Sequence, residues 1–578
     1  MKGIKYKHNI INLYPAIKNI TSKSLYGYIN NLGKFLIKPS FEYARDFNNN
    51  GVAIVVKDGL TGLIDINGDF IVDPTFSDIQ EFKEGRAICI FTDGNMGVID
   101  EAGNQITKKT YNYIGNFNNS RAVIGISGPN DTYLYGYIDL DGNEIIKPIY
   151  LNANDFSDDF SVVKLKNGKF QLIDTNGNSI ASFNYKFVGS YSEGIMSFSN
   201  NAYGPYGYID ENGDILIKPK FYSADNFKDG VAIVSTSENF NGPYGVINKI
   251  GKYIYEPIYS NIKSLSEKRL ALGMPLGDIK DIVNSIYALG DTDGNRLSEF
   301  IYLNIDEFDN NLASAYNYNN TFFINLRGTI VNNLPKVKGS GNLIIEDNII
   351  SAYIDYVQYY FSLSGKLIYR PNTLTILNRI YSINKLKYKP NVNYLVYYPR
   401  VNLKSNKSIE NRINLKLKYL SKLKPIDKYD DLTFSYLGDF FISFFYKNLL
   451  VLKLTGYNYP LGAAHGMETL LTPSINLKTG EIYILKDLFK SSTKWINEIN
   501  SIIENQIQTN SKYEFVYPNS FKGINENQDF YIDKNFLYIY FSPYEIGPYA
   551  AGFITFKIPF LEIDNFINKK GSFYKSFN

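Results

Sequence analysis

The chain has 578 residues, of which 44% are hydrophobic and 20% charged, enough for several packed cores and too apolar for a disordered polymer. Lys and Arg number 60 against 57 Asp and Glu, and a net charge of +3 over this length gives no basis for a nucleic-acid groove or an anionic membrane surface. One cysteine, Cys89, and two histidines, His8 and His465, exclude an intrachain disulfide framework and a His/Cys metal cluster, while 50 Tyr and 39 Phe lean towards β structure.

The N-terminal run Met1–Asn9 is basic, but Ile10-Ile-Asn-Leu-Tyr-Pro15 is too short and interrupted for a signal-peptide core. No window approaches the roughly 18 apolar residues of a spanning helix. The expectation from the residues is a cytoplasmic chain with no membrane insertion.

One phrase then recurs: an aromatic or apolar residue, Gly, an apolar pair, Asp or Asn, two residues, Gly. It appears as Tyr26-Gly-Tyr-Ile-Asn-Asn-Leu-Gly33, Thr61-Gly-Leu-Ile-Asp-Ile-Asn-Gly68, Tyr135-Gly-Tyr-Ile-Asp-Leu-Asp-Gly142 and Tyr206-Gly-Tyr-Ile-Asp-Glu-Asn-Gly213, with further copies between them. The closing glycines fall at 33, 68, 103, 142, 177, 213, 251, 294, 328 and 365, the last three copies being degraded. About ten units of roughly 37 residues follow from this period. Each reads as short strands: Tyr-Ile-Asp, an Asn-Gly or Asp-Gly turn, an apolar strand closed by proline, then a Phe and a Gly-x-Ala strand. A sheet this small cannot bury its own faces and is stable only beside copies of itself. A propeller-like ring and an open superhelical array both satisfy that requirement.

Asp139-Leu-Asp141-Gly and Asp291-Thr-Asp293-Gly resemble the start of a calcium loop, but an apolar strand follows at once and sibling units lack the second acid. Turn chemistry is the expectation, with no metal and no cofactor. Cys89, in Arg86-Ala-Ile-Cys-Ile-Phe91, reads as a small core residue.

This pattern resembles the bacterial WG-repeat (KWG) family over residues 20–372. The resemblance implies protein or cell-envelope interaction and no catalysis. The hallmark Trp is replaced in every copy by Tyr, Phe, Met or Thr, and the aromatic replacements are expected to fill the same buried slot.

After Arg370-Pro-Asn372 the texture changes. Tyr394–Pro399 reads as a strand, Ser408–Leu420 as a helix, and Phe440–Tyr446 with Leu449–Leu454 as paired strands. A second helix is expected from Ser492, its cap, with Ile496, Ile499, Ile502, Ile503 and Ile507 on one face. Strands at Phe536–Phe541 and Gly552–Pro559 complete an α+β domain. The expected division is 1–372 and 373–578, and the fold class mainly β.

In this part, Gly462-Ala-Ala-His-Gly466, Ser474-Ile-Asn-Leu-Lys-Thr-Gly480, Leu485-Lys-Asp-Leu-Phe489 and Tyr544-Glu-Ile-Gly-Pro-Tyr-Ala550 occur in order. Over residues 374–566 they resemble the RsiV/PdaC-type domain of lysozyme-sensing anti-sigma factors and a peptidoglycan deacetylase. The resemblance implies binding of a protein, lysozyme-like or otherwise, or of an envelope component, and an extracytoplasmic location as the alternative. No catalytic residue is assigned, because His465 lies in no triad motif. The candidate ligand-binding residues are His465, Tyr544, Glu545 and Tyr549, and two have a structural alternative: His465 as a packed histidine, and Glu545 as a carboxylate tying down its own loop. A non-catalytic interaction scaffold is the leading reading, a cell-wall glycan binder comes second, and a hydrolase using paired carboxylates last.

Overall fold

The computed structural model describes residues 12–20, 23–128, 132–238, 242–276, 285–404 and 406–578. The basic N-terminal run with His8 lies outside them. The chain divides into two compact units. One takes in Leu25–Pro371 with the chain up to Lys18, the other Asn372–Asn578 with the segment Asn19–Ser24.

The first unit holds ten successive antiparallel sheets of three or four strands. In the second sheet, Tyr43–Ala44, Ala53–Lys57, Leu60–Ile64 and Phe70–Phe76 pair in chain order. The sheet is thus offset from the phrase read in the sequence. It begins with the two-residue strand before the repeated Phe, and the proline-bearing strand ends it rather than lying in its middle.

Proline does not close that strand. Pro39 and Pro74 lie inside Phe35–Phe41 and Phe70–Phe76, where the register shifts. The reason lies opposite. A methyl group added to Gly27 would come 2.4 Å from the Ile37 carbonyl oxygen and 2.7 Å from the Pro39 nitrogen. In five phrases the first glycine, at 27, 62, 136, 207 and 245, makes room for a bulge, and the bulge accommodates a residue that cannot donate to the ladder.

Apolar clusters are shared by successive sheets. Tyr28, Ile37 and Phe41 of the first sheet pack with Ala44, Ala53, Val55 and Ile64 of the second. Tyr14, Ala16 and Ile29 of the first sheet pack with Ile349 and Tyr360 of the last. Each buried Val, Ile or Phe among them contributes about 1.5–3 kcal/mol by leaving water. The slot of the hallmark residue is buried at Phe170, as expected, and shallower at Tyr26, Tyr135, Tyr206 and Tyr244, which are half-buried. The buried ring is two residues on, at Tyr28, Tyr137 and Tyr208.

Polar groups repeat with the same period. The hydroxyls of Tyr28, Tyr137 and Tyr208 donate to the carbonyls of Arg45, Asn154 and Asp225 in the next sheet, at 2.7–2.8 Å. At the equivalent place in the last sheet, Tyr360 donates to the Pro15 carbonyl of the first at 2.7 Å. Acidic turn residues with left-handed backbone form a second row. Glu84, Glu193 and Glu267 accept from the backbone N–H groups of Ser120, Gly230 and Asn311, one sheet further on, at 2.9–3.1 Å.

The Asp-x-Asp-Gly segments are turns. Asp139 Oδ1 accepts from the backbone N–H groups of Asp141 and Asn143, and its Oδ2 accepts from the Asn143 side chain. Asp291 binds Asp293 and Asn295 in the same way.

In the second unit, Tyr381–Asn391, Tyr394–Leu403, Phe434–Tyr446 and Leu449–Pro460 form the middle of an eight-stranded sheet. The Tyr394 and Phe434 strands run parallel, joined by helix α1, Lys407–Leu420, which buries Ile413 and Leu417. Its cap is Asn406, whose side chain accepts from the Ile409 N–H. Helix α2 is Trp495–Thr509 and buries Trp495, Ile499 and Ile503. It is preceded by Lys494 with no side-chain cap, not by Ser492. Residues 490–493 form a turn of their own, in which both the N–H and the hydroxyl of Thr493 donate to the Lys490 carbonyl. Phe530–Ile532, Phe536–Phe541 and Ile554–Pro559 form a second sheet, and helix α3, Ser572–Phe577, ends the chain.

Candidate functional site

The Phe434–Tyr446 and Leu449–Pro460 strands form a long hairpin, and Met467–Leu471 turns back along its second arm. The turn between Pro460 and Met467 carries His465. Gly466 is required there, since a methyl group on it would come 2.6 Å from both the Asn458 carbonyl oxygen and the Tyr457 ring. That close approach lets the Gly466 N–H donate to the Tyr457 hydroxyl at 2.8 Å, and the Tyr459 hydroxyl donates to the Ala463 carbonyl. The turn is therefore fixed from both sides.

Three of the four sequence-selected residues meet here. The His465 ring stacks on Tyr549 with centroids 4.3 Å apart and planes at 28°, and Tyr544 lies 5.6 Å from Tyr549. With its proton on Nδ1, His465 donates to the Gly466 carbonyl at 2.9 Å and accepts from the Tyr544 hydroxyl at Nε2, 3.4 Å away. Tyr544 is 51% exposed and has a φ of 69°, a left-handed conformation costly for a bulky residue. Desolvation raises the Tyr549 hydroxyl above its ordinary pKa, helped by Tyr457 and Glu468. The arrangement presents aromatic rings on rigid turns, the kind of surface that supplies contact area at low entropic cost.

Glu545 is turned to another task. Its carboxylate accepts from the Ser542 N–H at 2.8 Å, and its own N–H donates to the Ser542 carbonyl at 3.0 Å, so it ties down the loop that holds Tyr544. Tyr457 on the second arm and Glu468 opposite it on the returning strand were not singled out in the sequence. Strand alternation on either side of the Gly/Ala turn is the signal that points to them.

In the repeat unit, a cleft of about 750 Å³ opens across the fifth to seventh sheets, with Asn152, Lys164, Lys186, Phe187, Ser190 and Asp225 among its lining. Burial raises the carboxyl pKa of Asp225, as it does for Asp155. Cys89 is fully buried, and burial pushes its thiol up to about 11. Among the described residues no three His, Cys, Asp or Glu side chains are grouped to hold a metal ion. Among them, too, no helix is long and apolar enough to cross a membrane.

Residues 486–560 match the family described as protein of unknown function DUF3298. Residues 26–60, 62–88, 96–128, 135–170, 172–201, 206–239 and 244–272 match the WG containing repeat. The chain is similar to a solved DUF3298 family member from Bacteroides fragilis, at 16% identity, covering 36% of this chain and 98% of that one, with a TM-score of 0.27. It is also similar to a DUF3298 family protein from Pseudomonas aeruginosa, at 12% identity, covering 33% and 95%, again with a TM-score of 0.27. No curated protein matches the chain. The chain thus carries seven WG containing repeats and, towards its C-terminus, a DUF3298 domain of the RsiV/PdaC type.

Proposed function

We propose that this is a non-catalytic interaction protein in which a closed, propeller-like repeat ring binds one protein partner and the DUF3298 domain binds a second, a lysozyme-like protein or an envelope component. The His465–Tyr549–Tyr544 cluster carries the second half of this reading. It is an aromatic surface on two turns fixed by hydrogen bonds that Tyr457 and Glu545 accept and Tyr459 donates. Both nitrogens of His465 are engaged within the cluster, which suits a binding surface better than proton transfer.

The ring is supported by counting. Ten sheets share ten apolar clusters, each between neighbouring sheets, and an open row of ten would have nine junctions. A closed ring also leaves no sheet face without a neighbour.

Surface plasmon resonance of the full chain against hen egg-white lysozyme, with sedimentation on purified peptidoglycan, tests the binding. Retention of one of these, weakened at least about tenfold by His465→Ala with Tyr549→Ala, is the expected outcome. Binding of neither, or binding indifferent to the double substitution, would overturn the assignment of the site.

A further inference from the structure

A second concave site lies in the DUF3298-bearing unit, on the face of the hairpin opposite Tyr457 and Glu468. Its floor is one rung across four strands: Tyr394 pairs with Tyr436, Tyr436 with Asn458, and Asn458 with Met467. Phe434 and Thr469, two residues along their strands, extend it, and Lys422 and Lys424 complete a cleft of about 370 Å³. Tyr394 and Tyr436 are stacked, with centroids 4.9 Å apart and planes at 27°, and Phe434 meets Tyr394 edge-on. Gly456 makes the floor possible, since a methyl group there would fall 2.3 Å from the Tyr436 hydroxyl.

The lysines are placed, not trailing. Both follow α1 in a loop clamped from the sheet. The Tyr394 hydroxyl donates to the Lys422 carbonyl and the Tyr388 hydroxyl to that of Lys424, each at 2.5 Å. The buried Asn391 side chain donates to the carbonyls of Asp427, Lys428 and Asp430 further along. Lys422 has a φ of 57°, a strained backbone held by these bonds, and its ammonium lies 5.6 Å from the Tyr436 ring centroid. No acidic side chain is among the lining residues. Burial, and then the charge of Lys424, lowers the Lys422 pKa, as fits two cations facing a cleft without a counter-charge.

We propose that this cleft binds a small organic anion, an apolar or aromatic body carrying one carboxylate, sulfonate or phosphate group. The body lies against Phe434, Tyr436 and Met467, with the buried Tyr394 behind Tyr436, and the anionic group meets Lys422 and Lys424. Size and composition suit a small-molecule site, an apolar hollow with few convergent polar groups. The inference is independent of the protein-binding role given to His465, Tyr544 and Tyr549.

The test is calorimetry on the full chain with 2-naphthalenesulfonate and its uncharged counterpart, 2-naphthalenesulfonamide. The sulfonate is expected to bind more tightly, and Lys422→Gln with Lys424→Gln to weaken it at least about tenfold while changing the sulfonamide less than about twofold. Met467→Trp, at a position 39% exposed and so tolerant of bulk, is expected to weaken both probes by filling the cleft. Equal affinity for the two probes, no binding of the sulfonate, or lysine variants that bind it like the unaltered chain would each overturn the proposal. Thermal melts of the variants establish that they remain folded. Lysozyme and peptidoglycan binding by the lysine variants keeps the two readings distinguishable.

Discussion

The proposed closure of the repeat ring is tested at Gly33, where a matched pair of substitutions isolates the contact of the first sheet with the last. Gly33 and Gly59 both have a φ of +77°, so Gly→Ala at either imposes the same left-handed strain, about 1–2 kcal/mol. Their surroundings differ. The added methyl would lie 2.4 Å from the Ile368 carbonyl oxygen at Gly33 and meet nothing within 4 Å at Gly59. The contact at Gly33 is with backbone in the last sheet, which cannot swing aside as a side chain can. Overlap of this size costs about 1–3 kcal/mol more. Gly33→Ala is therefore expected to destabilise by about 2–5 kcal/mol and Gly59→Ala by about 1–2, measured as shifts in the denaturant midpoint with unchanged slope. Equal losses at the two positions would refute packing of the first sheet on the last, and with it the closed ring.

Burial, then the charges of Asp46 and Asp347, push the Glu346 carboxyl up to about 8. Its folded pKa lies above the unfolded value, so its contribution is present below about pH 4.5 and is lost as pH rises to about 8. Glu346→Gln should match the unaltered chain at pH 4 and exceed it at pH 9, by at most about 5 kcal/mol at 1.4 per pH unit, in urea unfolding at the two pH values. Glu193 accepts from the Gly230 N–H and pairs with Lys249 at 3.1 Å, so Glu193→Ala should cost about 1–2 kcal/mol in the same assay. Cys89 should stay unlabelled by a thiol reagent at pH 8 in the folded protein and react fully in denaturant.

The repeat period was legible because one position in each unit needs a positive φ, which favours glycine. In some units the neighbouring sheet also leaves no room for a side chain there: a methyl on Gly103 would lie 2.3 Å from Val72. The frame of the sheet was not legible, because the chain passes to the next sheet after the proline strand, where no turn residue marks the step. The bulge at Pro39 escaped for a related reason, being set by Gly27 on the neighbouring strand. Neither histidine nor tyrosine spacing reveals that His465 meets Tyr549, and the resemblance alone brought those segments together. The floor of the second cleft, Tyr394, Tyr436, Asn458 and Met467, depends on pairings between residues far apart in the chain, including one parallel pair, and strand periodicity carries no such information.

What the repeats hold fixed and what they vary separates scaffold from surface. In the opening two-residue segment of successive sheets the second residue stays small or aliphatic: Ala44, Ile79, Ile114, Ala153, Val188, Ala224, Ile262 and Ile305. The first changes freely: Tyr43, Asp78, Tyr113, Asn152, Phe187, Ser223, Asn261 and Asn304. Packing explains the constancy, since the second position fills the clusters between sheets. Nothing in packing requires the first to vary as widely as tyrosine, aspartate and serine. Two members of that varied row, Asn152 and Phe187, line the 750 Å³ cleft together with Lys164, Lys186 and Asp225. Discrimination between ligands needs side chains that differ from one sheet to the next, and this row supplies them on an otherwise uniform frame. Substitution of the exposed Asn152 should therefore change binding while leaving stability within about 0.5 kcal/mol, whereas a polar residue at the buried Val188 should destabilise its sheet.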